Sequence, residues 1–344
     1  MKRTRLAALL LSGIMAASVL AGCGSVNKNA VVATFDETEI ALGVPNFAAR
    51  LQQAYSDDMY SYYFGGSAWD SDFSGTGVTM QEDVKNSVMD SMFELYTLNA
   101  HTQEYGVALS EEDQTKIAET AAAFIEANSR EALKELGADQ EIVEEYLRLV
   151  TIQAKMHEAI IANVDTNVSD EEANTSAYSY VRVSKTTYTD ADGNSAQYTE
   201  EELEMLAETV GTFATEAKAG TLEEAAETYG YTVSTGTFTA DDEMLDTAVL
   251  TALQGSEEGA VSDVIDTENA YYVVRLDAKT DATATETTRE SIIRDREDAL
   301  YEEVLSGWQE EHTWEVKESV WKDVTFDRLF TTVEPTDDVD TTEQ

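Results

Sequence analysis

From Met80 to Asn163 apolar residues recur at helical spacing, and after Tyr178 they come instead in short β-branched and aromatic runs broken by turns. One layer cannot satisfy both periods, so this change of texture divides the chain into a helical part and a mixed part. In the first, Val84, Val88, Met92 and Leu95 share a helix face, Ser110-Glu111-Glu112-Asp113 is a helix start, and Val143, Leu147, Val150, Ala154, His157 and Ile161 form one stripe. Upstream, Ala30 to Phe35 reads as a strand and Val44 to Tyr55 as a helix. Downstream, Val168-Ser169-Asp170-Glu171-Glu172 opens another short helix.

The mixed part reads as a β-α-α-β-α-β-β module. Tyr178 to Val183 has strand propensity, Asp192-Gly193 marks a turn, and Leu203, Leu206, Val210, Phe213 and Ala217 line a helix ended by Gly220. A helix from Leu222 to Tyr229, a strand at Tyr231-Thr232-Val233, a helix from Glu243 to Leu253, and strands at Val261–Ile265 and Ala270–Leu276 complete it. Helical spacing returns from Thr285 to Glu311, where Ile293, Leu300, Val304 and Trp308 form an apolar face that needs a partner; the helical part is the candidate. From Glu334 the chain is acidic, Thr-rich and aperiodic, and reads as a disordered tail. The fold class is therefore α+β.

Charge excludes one class of partner. With 68 acidic against 22 basic side chains, nucleic acid is ruled out, and 42% hydrophobic residues still suffice for a core. Three of the basic residues, Lys2, Arg3 and Arg5, stand before an apolar run from Leu6 to Leu20 that is too short for a comfortable membrane span. This reads as a signal peptide over residues 1–22. It ends in Leu20-Ala21-Gly22-Cys23, which resembles the lipobox of bacterial lipoproteins, in which the cysteine is lipidated; Cys23 is the only cysteine and can form no internal disulfide. The expected location is the outer face of a membrane, held by lipid on Cys23, with residues 23–29 as a tether.

Catalytic patterns are sparse. The three histidines, His101, His157 and His312, are far apart in sequence, and His157-Glu158 begins like a zinc-protease motif whose second histidine is replaced by Ile161. Asp190, Asp192, Asn194 and Glu201 fall at ligand positions of an EF-hand loop, but the required glycine is Ser195 and a strand precedes it, so a plain turn is the competing reading. No metal or cofactor is expected. The stretch Tyr55 to Gly77 contains Tyr60, Tyr62, Tyr63, Phe64, Trp69 and Phe73 among Ser, Gly and Asp and reads as a loop, whose aromatics either plug a domain edge or form an exposed contact patch.

The order of these segments resembles the PrsA/SurA family of extracytoplasmic foldases. The resemblance rests on Val31-Val32-Ala33-Thr34 followed by a helix, on Tyr105-Gly106-Val107-Ala108-Leu109-Ser110-Glu111-Glu112, on Gly259-Ala260-Val261-Ser262, and on Ala270-Tyr271-Tyr272-Val273-Val274-Arg275-Leu276. It implies a helical chaperone domain over residues 30–168 and 283–330, with a parvulin-like α/β domain inserted at 175–280 and a tail at 334–344. It further implies unfolded or nascent exported proteins as partners. Active parvulins carry one histidine in the first strand and another in the last; the matching positions here are Tyr180 and Tyr272. The double replacement leaves no confident catalytic residue, and Phe238, Met244 and Leu245 are either a substrate groove or core. The expected function is chaperoning of exported proteins; the alternatives are an active peptidyl-prolyl isomerase and a structural or adhesive surface lipoprotein.

Overall fold

The computed structural model describes residues 27–64, 68–189, 193–326, 330 and 332. The expected signal peptide, Cys23, Asp190, Asp192 and the tail from Glu334 lie outside the described residues. In chain order the elements are β1 (Val31–Phe35), β2 (Thr38–Ala41), α1 (Gly43–Phe64), α2 (Met80–Ala100), α3 (Glu111–Ala127), α4 (Arg130–Leu136), α5 (Gln140–Ile161) and α6 (Asp170–Ala173). Then come β3 (Ser176–Ser184), β4 (Thr187–Thr189), β5 (Ser195–Gln197), α7 (Glu200–Ala219), α8 (Leu222–Tyr229), β6 (Ser234–Phe238) and α9 (Thr247–Gln254). The chain ends with β7 (Ile265–Asp266), β8 (Ala270–Ala278), α10 (Ala282–Glu311), β9 (Trp314–Val316) and α11 (Glu318–Trp321). Two compact units result, one of residues 1–164 with 298–344 and one of residues 165–297.

The first unit is helical around a small antiparallel sheet of order β2-β1-β9. Its core gathers Val32, Leu42, Phe47, Met92, Leu136 and Leu149, joined from the far end of the chain by Trp321, Val324 and Phe326. Helix starts are made as the sequence prescribes: the Ser110 hydroxyl accepts from the Asp113 N–H at 3.1 Å, and the Asp113 carboxylate accepts from the Ser110 N–H at 2.8 Å. Along α5 the buried residues are Ile142, Val143, Leu149, Ile152, Met156 and Ile160. Leu147, Val150, Ala154, His157 and Ile161 are only half-buried, so the inward line is rotated from the expected stripe. On α10, Leu300, Val304 and Trp308 pack with Leu98, Ile152, Met156 and Ile160, which supplies the partner that the helix's C-terminal half required.

One expected loop is helix instead. Helix α1 continues through Phe64 because its polar residues point inward: the Arg50 guanidinium donates to Gln53 Oε1 at 2.6 Å, and the Trp69 indole N–H donates to Asp57 Oδ1 at 2.6 Å. In the stretch expected to be a loop, buried Asp57 imitates the composition of a solvated segment. The aromatics of this stretch divide between the two readings. Trp69 is sealed in the core, edge-on to Phe326 at 4.9 Å, whereas Tyr62, Tyr63 and Phe73 are exposed.

The second unit is a four-stranded antiparallel sheet of order β6-β3-β8-β7 with helices on both faces. Val181, Val183, Tyr271 and Val273 face α7 and α8, where Val210, Phe213, Ala217 and Leu222 are buried. Tyr178, Val274 and Leu276 face the other way, toward Val249 and Leu253 of α9. Both faces are covered, so apolar residues occur on both faces of β8, which reads in sequence as an almost continuous apolar run. The expected strand at Tyr231–Val233 is displaced to β6, with Tyr231 and Val233 packing against the helix-side cluster. The strand expected at Val261–Ile265 shrinks to a bridge at Val261 and to β7, and α9 begins only where the Asp246 carboxylate accepts from the Ala248 N–H at 2.9 Å. This α+β architecture agrees with the fold class expected from sequence.

Candidate functional site

The period-two alternation of β3 and β8 puts three tyrosine rings on one face of the sheet of the second unit, and Phe238 of β6 adds a fourth ring. Opposite Tyr178 stands Leu276, opposite Tyr180 stands Val274 and opposite Arg182 stands Tyr272, all pointing to the α9 side. Phe238, at the end of β6, meets the Tyr178 ring edge-on at 5.8 Å; Tyr178 stacks with Tyr180 at 5.4 Å; Tyr180 and Tyr272 lie 6.2 Å apart, tilted by 41°. The row ends at Arg182, whose Nε donates to the Tyr272 hydroxyl at 3.0 Å.

A glycine makes room for this row. Gly236 pairs with Tyr178 across β6 and β3, and a Cβ on it would stand 2.7 to 2.8 Å from three atoms of the Tyr178 phenol. The ring therefore lies down over the glycine rather than standing off the sheet. Burial raises the pKa of the Tyr178 hydroxyl above its ordinary value, and the neighbouring Tyr180, Asp242 and Tyr272 add to the shift. Asp242 is held in place by accepting from the N–H groups of Met244 at 2.8 Å and Leu245 at 3.0 Å. Tyr178 and Phe238 are buried, so it is the half-buried Tyr180 and Tyr272, with the Arg182 guanidinium at the end of the row, that can stack a flat or ring-shaped apolar group and hydrogen-bond it through phenols. The row offers no nucleophile activated by a base.

Of the residues singled out from sequence, Tyr180, Tyr272, Phe238 and Leu245 come together in this one cluster. Phe238 is buried and Leu245 half-buried, so both belong to the packed layer under the surface. Met244 does not join: it is 95% exposed, turned outward by the loop that Asp242 organises. Tyr178, Arg182, Gly236 and Asp242 were not anticipated; the alternation Tyr178-Ser179-Tyr180-Val181-Arg182 was the available signal for the first two.

The remaining candidates resolve differently. His157 is a half-buried face residue whose ring lies 4.8 Å from that of Tyr301. Ser195 starts strand β5, which pairs with β4, and Glu201 lies in the first turn of α7, while Asp190 and Asp192 lie outside the described residues. Among the described residues no group of three or more His, Cys, Asp or Glu is arranged to hold a metal ion. No helix among them is long and apolar enough to cross a membrane.

Residues 184–289 match the family model of the PPIC-type PPIASE domain, which carries the parvulin resemblance read from the sequence; the match includes Tyr272 and begins just after Tyr180. No curated protein matches the chain. Among solved structures, the chain is similar to the foldase protein PrsA of Streptococcus pneumoniae, at 17% identity over 74% of this chain and 97% of that one, with a TM-score of 0.30. It is likewise similar to PrsA of Lactococcus lactis, at 15% identity over 86% and 97% with a TM-score of 0.34. A SurA-like chaperone of Campylobacter jejuni is similar at 10% identity over 84% and 99%, with a TM-score of 0.30. Overlaps this loose do not align individual residues.

Proposed function

We propose that this protein is a lipid-anchored extracytoplasmic chaperone of the foldase type, whose parvulin-like module binds client segments without isomerising them. The reading is carried by the row Phe238–Tyr178–Tyr180–Tyr272, whose Tyr180 and Tyr272 are the positions that the sequence resemblance matches to the two histidines of an active parvulin. No histidine occurs anywhere in residues 165–297. Rotation about an X-Pro bond faces a barrier of ~18–20 kcal/mol, and an isomerase lowers it only by favouring the twisted amide over the planar one. A row of stacked phenols favours ring contact with either form equally, which is binding and not catalysis. Client segments would meet the half-buried Tyr180 and Tyr272 of this row in the second unit and the exposed Tyr62, Tyr63 and Phe73 in the first. The lipid on Cys23 would supply the membrane affinity that so acidic a body lacks.

The test is a protease-coupled prolyl isomerisation assay on the chain beginning after Cys23, run beside an aggregation assay with a denatured client. Suppressed aggregation without accelerated isomerisation is the expected result. Acceleration that is lost on replacing Tyr180 and Tyr272 by Phe would instead establish the isomerase reading, which the PPIC-type match favours. Inactivity in both assays would remove the chaperone. Membrane attachment is tested separately: Cys23→Ala should release the protein from the membrane fraction.

A further inference from the structure

Two of the three histidines, 211 residues apart, meet in the first unit. His101 occupies the C-cap of α2 and His312 follows the last turn of α10, with their Nε2 atoms 3.0 Å apart. The outer nitrogen of each ring faces a carboxylate: His101 Nδ1 lies 2.7 Å from Glu104 Oε1, and His312 Nδ1 lies 2.8 Å from Asp36 Oδ2. Both side chains are well covered, at 9% and 17% exposure.

Counting hydrogens over these four nitrogens fixes what the arrangement can hold. An ionised carboxylate only accepts, so each Nδ1 must carry a hydrogen. Asp36 is kept ionised because the Thr313 N–H and then His312 hold its carboxyl below the usual carboxylate range. Two rings protonated only at Nδ1 would face each other lone pair to lone pair, which is no bond. The 3.0 Å contact therefore needs one more hydrogen, between the two Nε2 atoms, giving three hydrogens on four nitrogens and one positive charge on the pair. A fourth would set N–H against N–H and imidazolium against imidazolium at the same distance.

The surroundings suit one positive charge. The His101 ring stacks on the Trp308 indole at 4.3 Å with a 9° interplanar angle, and the His312 ring lies 4.4 Å from that of Phe35, both contacts in which an aromatic face attracts a cation. Two helix C-termini, those of α2 and α10, turn their carbonyl ends toward the pair. The facing charged groups are Glu104 from the turn after α2 and Asp36 from the β1–β2 turn; Tyr105, edge-on to Trp308, is the other titratable ring there. Asp36 is the one described residue other than glycine with a positive φ, 51°, and its Oδ1 accepts from the Thr313 N–H at 2.9 Å, so the cluster adjoins the start of β9.

We propose that His101 and His312 form a single-proton latch that fastens the junction of α10 and β9 to the end of α2: one shared proton closes it, and a second opens it. Acidification would thereby loosen β9 from β1, the pairing by which the chain's end closes the sheet.

The experiment is ring-nitrogen NMR on ¹⁵N-histidine-labelled chain beginning after Cys23, which keeps every described residue, together with hydrogen exchange at the Glu315 and Lys317 amides, which the antiparallel register turns toward β1, followed from pH 8 to pH 4.5. The expected result is a coupled pair with three protonated nitrogens at neutral pH. Uptake of the fourth proton should accompany at least a tenfold loss of protection at the two amides beyond the intrinsic pH effect. In His312→Gln the coupling should vanish and His101 should titrate alone, with protection no longer following its protonation; His101→Gln provides the reciprocal measurement if the first variant folds poorly. Two rings that titrate independently in the parent chain, or the same pH-dependent loss of protection in both variants, would overturn the latch.

Discussion

Replacing Gly236 by alanine tests whether the aromatic row depends on that glycine. The new Cβ would stand 2.7 Å from the Tyr178 ring, against an ordinary contact of 3.4 Å or more, so the ring must retreat by ~0.7 Å. It cannot do so freely, because Tyr180 stacks along it and Phe238 abuts its edge. Overpacking of this kind costs about 1–3 kcal/mol. Alanine returns about 0.4–1 kcal/mol by restricting the unfolded chain, which leaves a net loss of about 1–2 kcal/mol. Tryptophan fluorescence reports only on the first unit, since all four tryptophans, Trp69, Trp308, Trp314 and Trp321, lie outside residues 165–297. Urea unfolding followed by tyrosine circular dichroism should therefore report the loss more directly than tryptophan fluorescence. In a Tyr178→Leu background the same substitution should stabilise by about 0.4–1 kcal/mol, giving a coupling of about 1–3 kcal/mol. A Gly236→Ala chain as stable as its parent, or an equal loss with and without the Tyr178 ring, would refute the close approach.

Asp113 accepts from Lys155 and from Ser110, which hold its carboxyl down to about 2. The unfolded carboxyl titrates near ~3.9, so its contribution is present above that value and is lost as pH falls from there through about 2. In acid titrations followed by circular dichroism, Asp113→Asn should be less stable by about 1 kcal/mol at neutral pH and should lack this acid-dependent portion. Burial, with Glu145 nearby, pushes the Tyr96 phenol up to about 12. An unfolded tyrosine ionises near ~10, so stability should fall as pH rises from about 10 through about 12, and Tyr96→Phe should flatten that segment in alkaline melts. Replacing the exposed Tyr62 and Tyr63 by serine should change stability by less than about 0.5 kcal/mol while weakening aggregation suppression at least severalfold. Unchanged suppression would remove them from the client surface.

The parts legible in sequence were those where local chemistry and global fold agree. Ser110 with Asp113 announced α3, Gly220 ended α7, and the β-branched run at Ala270–Leu276 is β8. The end of α1 was hidden because the stretch after Tyr55 is rich in Ser, Gly and Asp, and a composition argument counts a polar residue such as Asp57 as solvated although it is buried against the Trp69 indole. β6 was missed because Ser234-Thr235-Gly236-Thr237 has no apolar signal; its reason lies across the sheet, in a tyrosine ring that needs a bare backbone beneath it. The candidate site was half visible for a related cause. Tyr180 and Tyr272 stood out by position, while Tyr178 and Arg182 became informative only once the register with β8 placed them in the same row. The meeting of His101 and His312 could not be read at all, since nothing local in either segment refers to the other.

The sheet of the first unit places its opening strand, β1, between β2 and β9, and Asp36 reaches a partner 276 residues later in His312. Synthesis proceeds from the N-terminus, so β1 emerges early and waits for a strand that is among the last segments to appear. Until then one edge of β1 stays open, and Trp321, Val324 and Phe326 are missing from the core they complete. Joining ends so far apart costs loop entropy that grows only slowly with length, and folding of residues 165–297 in the interval shortens the effective loop. Truncation near the C-terminus would thus be felt first at the N-terminal strand, and a protease acting during this interval would find its easiest cut in the half of the chain made first.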